Sequence, residues 1–64
     1  MLHKRICIYA KDIQLITGRT ERYGRKLIEK IKKHLGKQTH QMVTLTDFCD
    51  YTGLKMEEIE AYLS

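Results

Sequence analysis

Cationic side chains are the groups in this 64-residue chain whose type and spacing could do chemistry. Between residues 19 and 33 they recur at intervals of three and four residues, a spacing that gathers side chains on one face of a helix. Lys and Arg side chains bind phosphates, and Arg is the most common reader of guanine. The candidate nucleic-acid-binding residues are Arg19, Thr20, Arg22, Arg25, Lys26, Lys30 and Lys33, together with Lys11 upstream.

The net charge of +4 conceals a steep charge gradient. Residues 1–40 carry eleven Lys and Arg against three acidic residues, a net charge of +8, whereas residues 41–64 carry one Lys against five acidic residues, a net charge of −4. Only the first part is suited to a polyanion such as double-stranded DNA.

Other site chemistries have little support. The histidines His3, His34 and His40 share no helical face and have no neighbouring nucleophile. Cys7 and Cys49 form no CxxC pair and lie in apolar patterns, so we expect two reduced core thiols. We therefore expect no catalytic residues, no metal, no cofactor and no small-molecule substrate, and hence no enzyme.

The chain has no apolar stretch approaching the roughly 20 residues of a membrane-spanning helix, and its first residues lack the apolar region of a secretory signal. We expect a cytoplasmic protein without a membrane partner.

In the first part of the chain, the pattern predicts a strand and two helices. Residues 4–9 are β-prone, and residues 11–17 have helical spacing up to Gly18. Thr20 is a good N-cap for a long helix that ends at Gly36. One side of that helix is apolar and the other carries the cations.

The second part repeats this order. Residues 41–45 predict a second short strand, and Thr44 with Asp47 has the form of a capping box. A short helix should end at Gly53, followed by a last helix with an apolar face. The expected fold is mainly α, a single domain of residues 1–64 with four helices in two helix-turn-helix hairpins, one basic (residues 1–36) and one acidic (residues 41–64). Its two short strands could pair antiparallel.

An internal repeat is visible at an offset of 35 residues, which aligns residues 10–13 with residues 45–48 and Thr17-Gly18 with Thr52-Gly53. A true repeat would relate the two hairpins by a pseudo-twofold axis. The competing explanation is chance agreement between two amphipathic hairpins.

The segment 9–28, about a third of the chain, has the pattern A-x-x-hydrophobic-x-x-x-T-G-x-S/T, matched by Ala10, Ile13, Thr17, Gly18 and Thr20. It resembles the helix-turn-helix of small bacterial DNA-binding proteins of the excisionase-like and MerR-like superfamily. The resemblance implies a DNA-binding regulator or accessory factor that places its second helix in the major groove. It differs from that family in its longer recognition helix, the lack of a basic wing and the acidic second hairpin.

By this resemblance, the residues facing the major groove would be Arg19, Arg22, Arg25 and Lys26. Lys30 and Lys33 lie further along the helix and are better placed for phosphates, as are Lys4, Arg5 and Lys11.

Three alternatives stay open. The cations could form ordinary ion pairs on a solvated helix, with Arg25 to Glu29 and Glu29 to Lys33 at the required spacing. The chain could be a ribbon-helix-helix dimer, in which Arg5 and Tyr9 would read bases. It could also be a protein-interaction module that binds no nucleic acid, including a homodimer joined by opposite charges or by an exposed strand at residues 6–9.

The aromatic residues fall on predicted apolar faces, and we expect them to pack in the core. They are Tyr9, Tyr23, Phe48, Tyr51 and Tyr62, of which Tyr23, near a helix start, is the one worth testing as a base-stacking residue.

Overall fold

The computed structural model describes residues 6–63 and consists of four helices. They are α1 (Ala10–Thr17), α2 (Glu21–Leu35), α3 (Leu45–Thr52) and α4 (Met56–Leu63). Three residues join α1 to α2, and three join α3 to α4. The prediction of a mainly helical chain with four helices is confirmed.

Side-chain caps explain why α2 and α3 begin where they do. The Thr20 hydroxyl accepts a hydrogen bond from the Tyr23 N–H at 3.1 Å and starts α2. Thr44 and Asp47 form the predicted capping box of α3, since each side chain accepts the other residue's backbone N–H. The three glycines expected to end α1, α2 and α3 all have positive φ angles.

The hydrophobic core is small and both hairpins contribute to it. Its buried residues are Ile8, Ile13, Ile31, Val43, Leu45, Phe48 and Ile59. The α1 helix packs against α2 and α4, and α3 packs against α2 and α4. Each hairpin therefore completes its packing only against the other.

The 35-residue repeat extends to local structure. The helices α1 and α3 each have eight residues, and their first residues are 35 positions apart. The first residues of α2 and α4 are also 35 positions apart. The hydroxyls of Thr17 and Thr52 donate to the carbonyls four residues earlier, at 2.7 and 2.8 Å, and each accepts the N–H two residues later. The two hairpins therefore share helix starts, the left-handed glycine after the first helix and the Thr turn bonds at one offset. They differ mainly in that α2 is seven residues longer than α4.

The prediction of two strands is wrong for the part of the chain that the structure describes. Residues 6–9 and 42–44 approach each other through a single antiparallel bridge between Cys7 and Thr44. Two hydrogen bonds flank it, from the Ile8 N–H to the Val43 carbonyl and from the Leu45 N–H to the Ile6 carbonyl. No sheet forms among residues 6–63 because helices start immediately after both segments. Residues 4 and 5 of the first predicted strand lie outside the described residues.

Four of the five aromatic side chains are not in the core, contrary to expectation. Phe48 is fully buried, whereas Tyr9, Tyr23, Tyr51 and Tyr62 are between 37% and 55% exposed. A core of seven residues is too small to enclose these rings.

None of the helices in the described residues is both long and apolar enough to cross a membrane.

Candidate nucleic-acid interface

The outer face of α2 carries a line of exposed cations, here called the basic row. It consists of Arg22, Arg25, Lys26, Lys30 and Lys33, all exposed. Arg19 and Thr20 in the preceding turn and Lys11 in α1 are exposed as well. All eight predicted site residues therefore lie at the surface, and the structure brings seven of them together on α2 and the turn before it.

A close contact with α1 fixes the position of α2 on the side opposite the basic row. Gly24 is buried on the inner side of α2, and a Cβ atom added to it would lie 2.6 Å from the Ala10 carbonyl oxygen. Only a glycine allows the two helices to approach this closely. Gly18, in the left-handed conformation with φ of 74°, reverses the chain between them.

Two of the Arg side chains already have partners. The Arg19 guanidinium lies over the Tyr23 ring, 4.7 Å from the centroid, in a cation–π contact. Arg25 pairs with Glu21 at 3.2 Å, one turn earlier on the helix. The pairs of Glu29 with Arg25 and with Lys33, which the alternative of a solvated helix with ordinary ion pairs predicts, are absent among the described residues. Arg25 is turned towards Glu21 instead.

The remaining predicted cations are free of intramolecular partners. The side chains of Lys11, Arg22, Lys26, Lys30 and Lys33 make neither hydrogen bonds nor ion pairs with the described residues. Favourable interaction with the helix dipole does not explain the positions of all these cations. Lys33 lies in the last turn of α2, where a cation is favourable, but Arg22 lies at the second residue, near the positive end of the helix dipole.

Lys32 and Lys37, near the far end of α2, are structural instead. The Lys32 ammonium donates to the Thr39 carbonyl at 2.7 Å and holds the loop that follows the helix. Lys37 donates to the Met42 carbonyl at 3.0 Å and pairs with Asp47 at 3.1 Å. The hydrogen bond from the Thr44 backbone N–H, assisted by the bonds from Lys37 and the Thr44 hydroxyl, lowers the pKa of Asp47.

Among the described residues, Lys37–Asp47 is the one ion pair that involves a carboxylate of the acidic hairpin, and it joins this hairpin to the connecting loop. It involves a residue beyond the end of α2, so the carboxylates of the second hairpin do not neutralise the basic row. The row stays open to solvent along its length.

The histidines and cysteines of the described residues form no second site. His34 contacts the edge of the Tyr51 ring, with 5.3 Å between centroids. Cys7 and Cys49 are half-buried and free, and burial raises the pKa of the Cys49 thiol. No group of three or more potential metal ligands occurs within residues 6–63. Lys4 and Arg5, predicted phosphate contacts, lie outside the described residues.

Sequence reasoning missed two features of the interface. Gly24 lies within the predicted long helix, where no role is assigned to it, although a glycine inside a helix costs stability and indicates a close approach. The partners of Arg19 and Arg25 were missed as well, although Tyr23 and Glu21 both stand four residues away in sequence.

No protein-family model matches the chain, and comparisons with curated proteins and with solved structures find no significant match.

Proposed function

We propose that this protein is a helix-turn-helix DNA-binding protein, a small regulator or accessory factor, which contacts double-stranded DNA through the basic row. One observation carries the proposal: five cations share the exposed face of one helix, and four of them have no partner among the described residues. Arg22 is the most informative of the four. It lies near the positive end of the α2 dipole, where a cation destabilises the helix, so helix stability does not explain an Arg at this position.

The dimensions of α2 suit the major groove. Its 15 residues span about 22 Å, longer than the roughly 12 Å width of the groove in B-form DNA. The first turns, with Arg22, Arg25 and Lys26, would enter the groove, and the last turns, with Lys30 and Lys33, would reach the phosphates at its edge. The deep, narrow major groove of A-form RNA does not admit a helix, which favours DNA over RNA.

The ribbon-helix-helix alternative fits less well. In such a dimer, residues 5–9 would pair with the same segment of a second copy. Here the described part of that segment pairs with Thr44 of its own chain, and α1 has only two turns. The interaction-module alternative accounts for the unpaired Arg22 as well, through an acidic protein partner, and the DNA titration below distinguishes the two.

The test is binding of labelled duplex DNA of random sequence at two salt concentrations, read by gel shift and by fluorescence anisotropy. We expect Arg22→Ala with Arg25→Ala to weaken binding by at least about tenfold, because it removes two groove contacts. Raising the salt should weaken binding by the wild type.

Lys55→Glu is the matched control, since it changes net charge by the same two units on the acidic hairpin. It should change the affinity by no more than about twofold. Circular dichroism would establish that all variants are folded. Equal affinity of the double variant and the wild type, or equal losses in both variants, would overturn the proposal.

A further inference from the structure

The turn before α2 holds one arginine in a fixed position. The Arg19 guanidinium lies over the Tyr23 ring, 4.7 Å from its centroid. The backbone of each residue is anchored as well. The Arg19 N–H donates to the Thr17 hydroxyl at 3.1 Å. The Tyr23 N–H donates to the Thr20 hydroxyl, also at 3.1 Å. Two threonine hydroxyls therefore fix the backbone that carries this Arg–Tyr stack.

The stack restrains Arg19 without consuming its hydrogen-bond donors. A guanidinium stacked on an aromatic ring uses its planar face, and its five N–H groups stay in the plane, directed outwards. Arg19 is exposed, and its guanidinium makes neither a hydrogen bond nor an ion pair with the described residues. It is therefore an ordered cation whose donors remain available to a ligand.

The other two arginines among the described residues differ from Arg19. Arg25 pairs with Glu21, and the Arg22 side chain has no partner within residues 6–63. A ligand would have to draw Arg25 away from Glu21. It would also have to immobilise Arg22, which costs rotamer entropy. Arg19 needs neither step, so it is the pre-organised arginine of this surface.

The second hairpin shows that the turn itself does not need the stack. At the offset of 35 residues, Arg19 corresponds to Leu54 and Tyr23 to Glu58. The turn there has the same left-handed glycine and the same hydrogen bond, from the Leu54 N–H to the Thr52 hydroxyl at 3.3 Å. Folding of the turn therefore does not explain why the first hairpin carries the Arg–Tyr stack.

The location and shape of the group favour a base edge as its ligand. When a helix-turn-helix binds DNA, residues at the start of the second helix contact base edges in the major groove. Guanine presents two acceptors there, O6 and N7, which match two N–H groups of one guanidinium. A phosphate requires no such restraint, because a flexible lysine such as Lys30 or Lys33 binds it as a point charge.

We infer that Arg19, held by Tyr23, reads a guanine in the major groove and determines the sequence preference of the protein at that base pair. The inference rests on the proposed function. Tyr23 is a positioning residue: its ring carries the guanidinium and does not stack on a base. The ligand is duplex DNA with a G·C pair at the position that Arg19 reaches.

The first test selects preferred sites from a pool of random duplexes, using the full chain. Sites selected by the wild type should share a G·C pair that sites selected by Arg19→Leu lack. The substitution places at residue 19 the residue that the second hairpin has at the equivalent position. Lys30→Leu is the matched control, since it removes the same charge from the same surface. It should weaken binding to all duplexes and keep the preference for the G·C pair.

The second test replaces the shared guanine with 7-deazaguanine, which lacks the N7 acceptor but still pairs with cytosine. In anisotropy titrations, this change should weaken binding by the wild type about fivefold or more, and it should change binding by Arg19→Leu by less than about twofold. Tyr23→Phe retains the ring and should respond as the wild type does. Tyr23→Leu cannot hold the guanidinium and should discriminate less between the two bases.

The outcomes separate this inference from the proposed function. If Arg19→Leu selects the same G·C pair as the wild type, or loses affinity equally for every duplex, Arg19 reads no base and the inference is overturned, although the protein still binds DNA. A Tyr23→Leu variant that discriminates as well as the wild type would overturn the role of Tyr23. If the wild type binds no duplex at all, the proposed function fails, and the inference fails with it.

Circular dichroism of the variant with both Arg19→Leu and Tyr23→Glu tests the comparison of the two turns. This variant carries the residues of the second hairpin at both positions and should be folded. An unfolded variant would show that the stack is needed for folding, which would count against the inference.

Discussion

Gly24 of α2 lies directly against the backbone of Ala10 at the start of α1, where a Cβ atom on residue 24 would come within 2.6 Å of the Ala10 carbonyl oxygen. This contact sets the distance between the two helices of the basic hairpin. The obstacle is backbone, which cannot rotate away as a side chain can.

Gly24→Ala should therefore destabilise the protein by about 1–3 kcal/mol through overpacking. The opposing gain in helix propensity is about 1 kcal/mol at most. Urea unfolding followed by circular dichroism measures the difference. Lys26→Ala, at an exposed position of the same helix, should stay within about 0.5 kcal/mol of the wild type. A Gly24→Ala protein as stable as the wild type would show that the helices are not in close contact.

The carboxylate of Asp47 should make stability depend on pH in the acid range. Its pKa is lowered in the folded protein, first by the Thr44 backbone N–H and then by Lys37. The stabilisation is therefore complete above the pKa of an unfolded Asp and is lost as the pH falls through the lower folded pKa.

Asp47→Ala should cost about 1–2 kcal/mol at pH 7, and most of the difference from the wild type should vanish near pH 2. Denaturant unfolding across this pH range provides the measurement. Asp50→Ala, an exposed acidic residue of the same helix, is the control and should have little effect at either pH. A pH-independent cost at Asp47 would contradict the assignment.

Single substitutions should rank the Arg residues of the proposed interface. Arg22 has no partner among the described residues, whereas Arg25 must leave Glu21 to reach DNA. Arg22→Ala should weaken binding by about tenfold, and Arg25→Ala by less. Glu21→Gln should tighten binding because it releases Arg25, and this increase is the most informative outcome in anisotropy titrations. A weaker Glu21→Gln variant that is still folded would argue against a role for Arg25.

Lys30 and Lys33 are expected to contact phosphates rather than bases. Replacing both with Ala should weaken binding to every duplex sequence to a similar extent. The slope of log affinity against log salt concentration should become shallower by about 1–2, since two fewer counterions are released. Titrations at four salt concentrations on two unrelated duplexes would measure this. A slope unchanged from the wild type would exclude these residues from the contact.

The helices could be predicted from sequence because their signals are local. Thr20, Thr44 with Asp47, and the glycines at the helix ends act within one turn, so the residues alone determined where α2 and α3 begin and end. The basic row was predictable for the same reason, since its spacing of three and four residues fixes its face once the helix is known.

The features that sequence reasoning missed depend on tertiary contacts. Ile6, Ile8 and Val43 favour extended backbone, but the capping box at Thr44 begins a helix before a strand can lengthen. The tyrosines occupy apolar positions of the helical pattern, but the core formed by seven smaller or more central residues leaves their rings partly exposed. A glycine inside a helix, such as Gly24, indicates a close approach by another element. The sequence does not show that this element is the backbone at Ala10.

The division of the core between the two hairpins has a consequence for any attempt to shorten the protein. Ile8, Ile13 and Ile31 lose their neighbours Val43, Leu45, Phe48 and Ile59 if the chain is cut after Gly36. Such a fragment would keep most of the positive charge but not the rigid scaffold that orients it. The acidic hairpin makes no contact with DNA in the proposed complex, yet the basic hairpin would need it in order to fold.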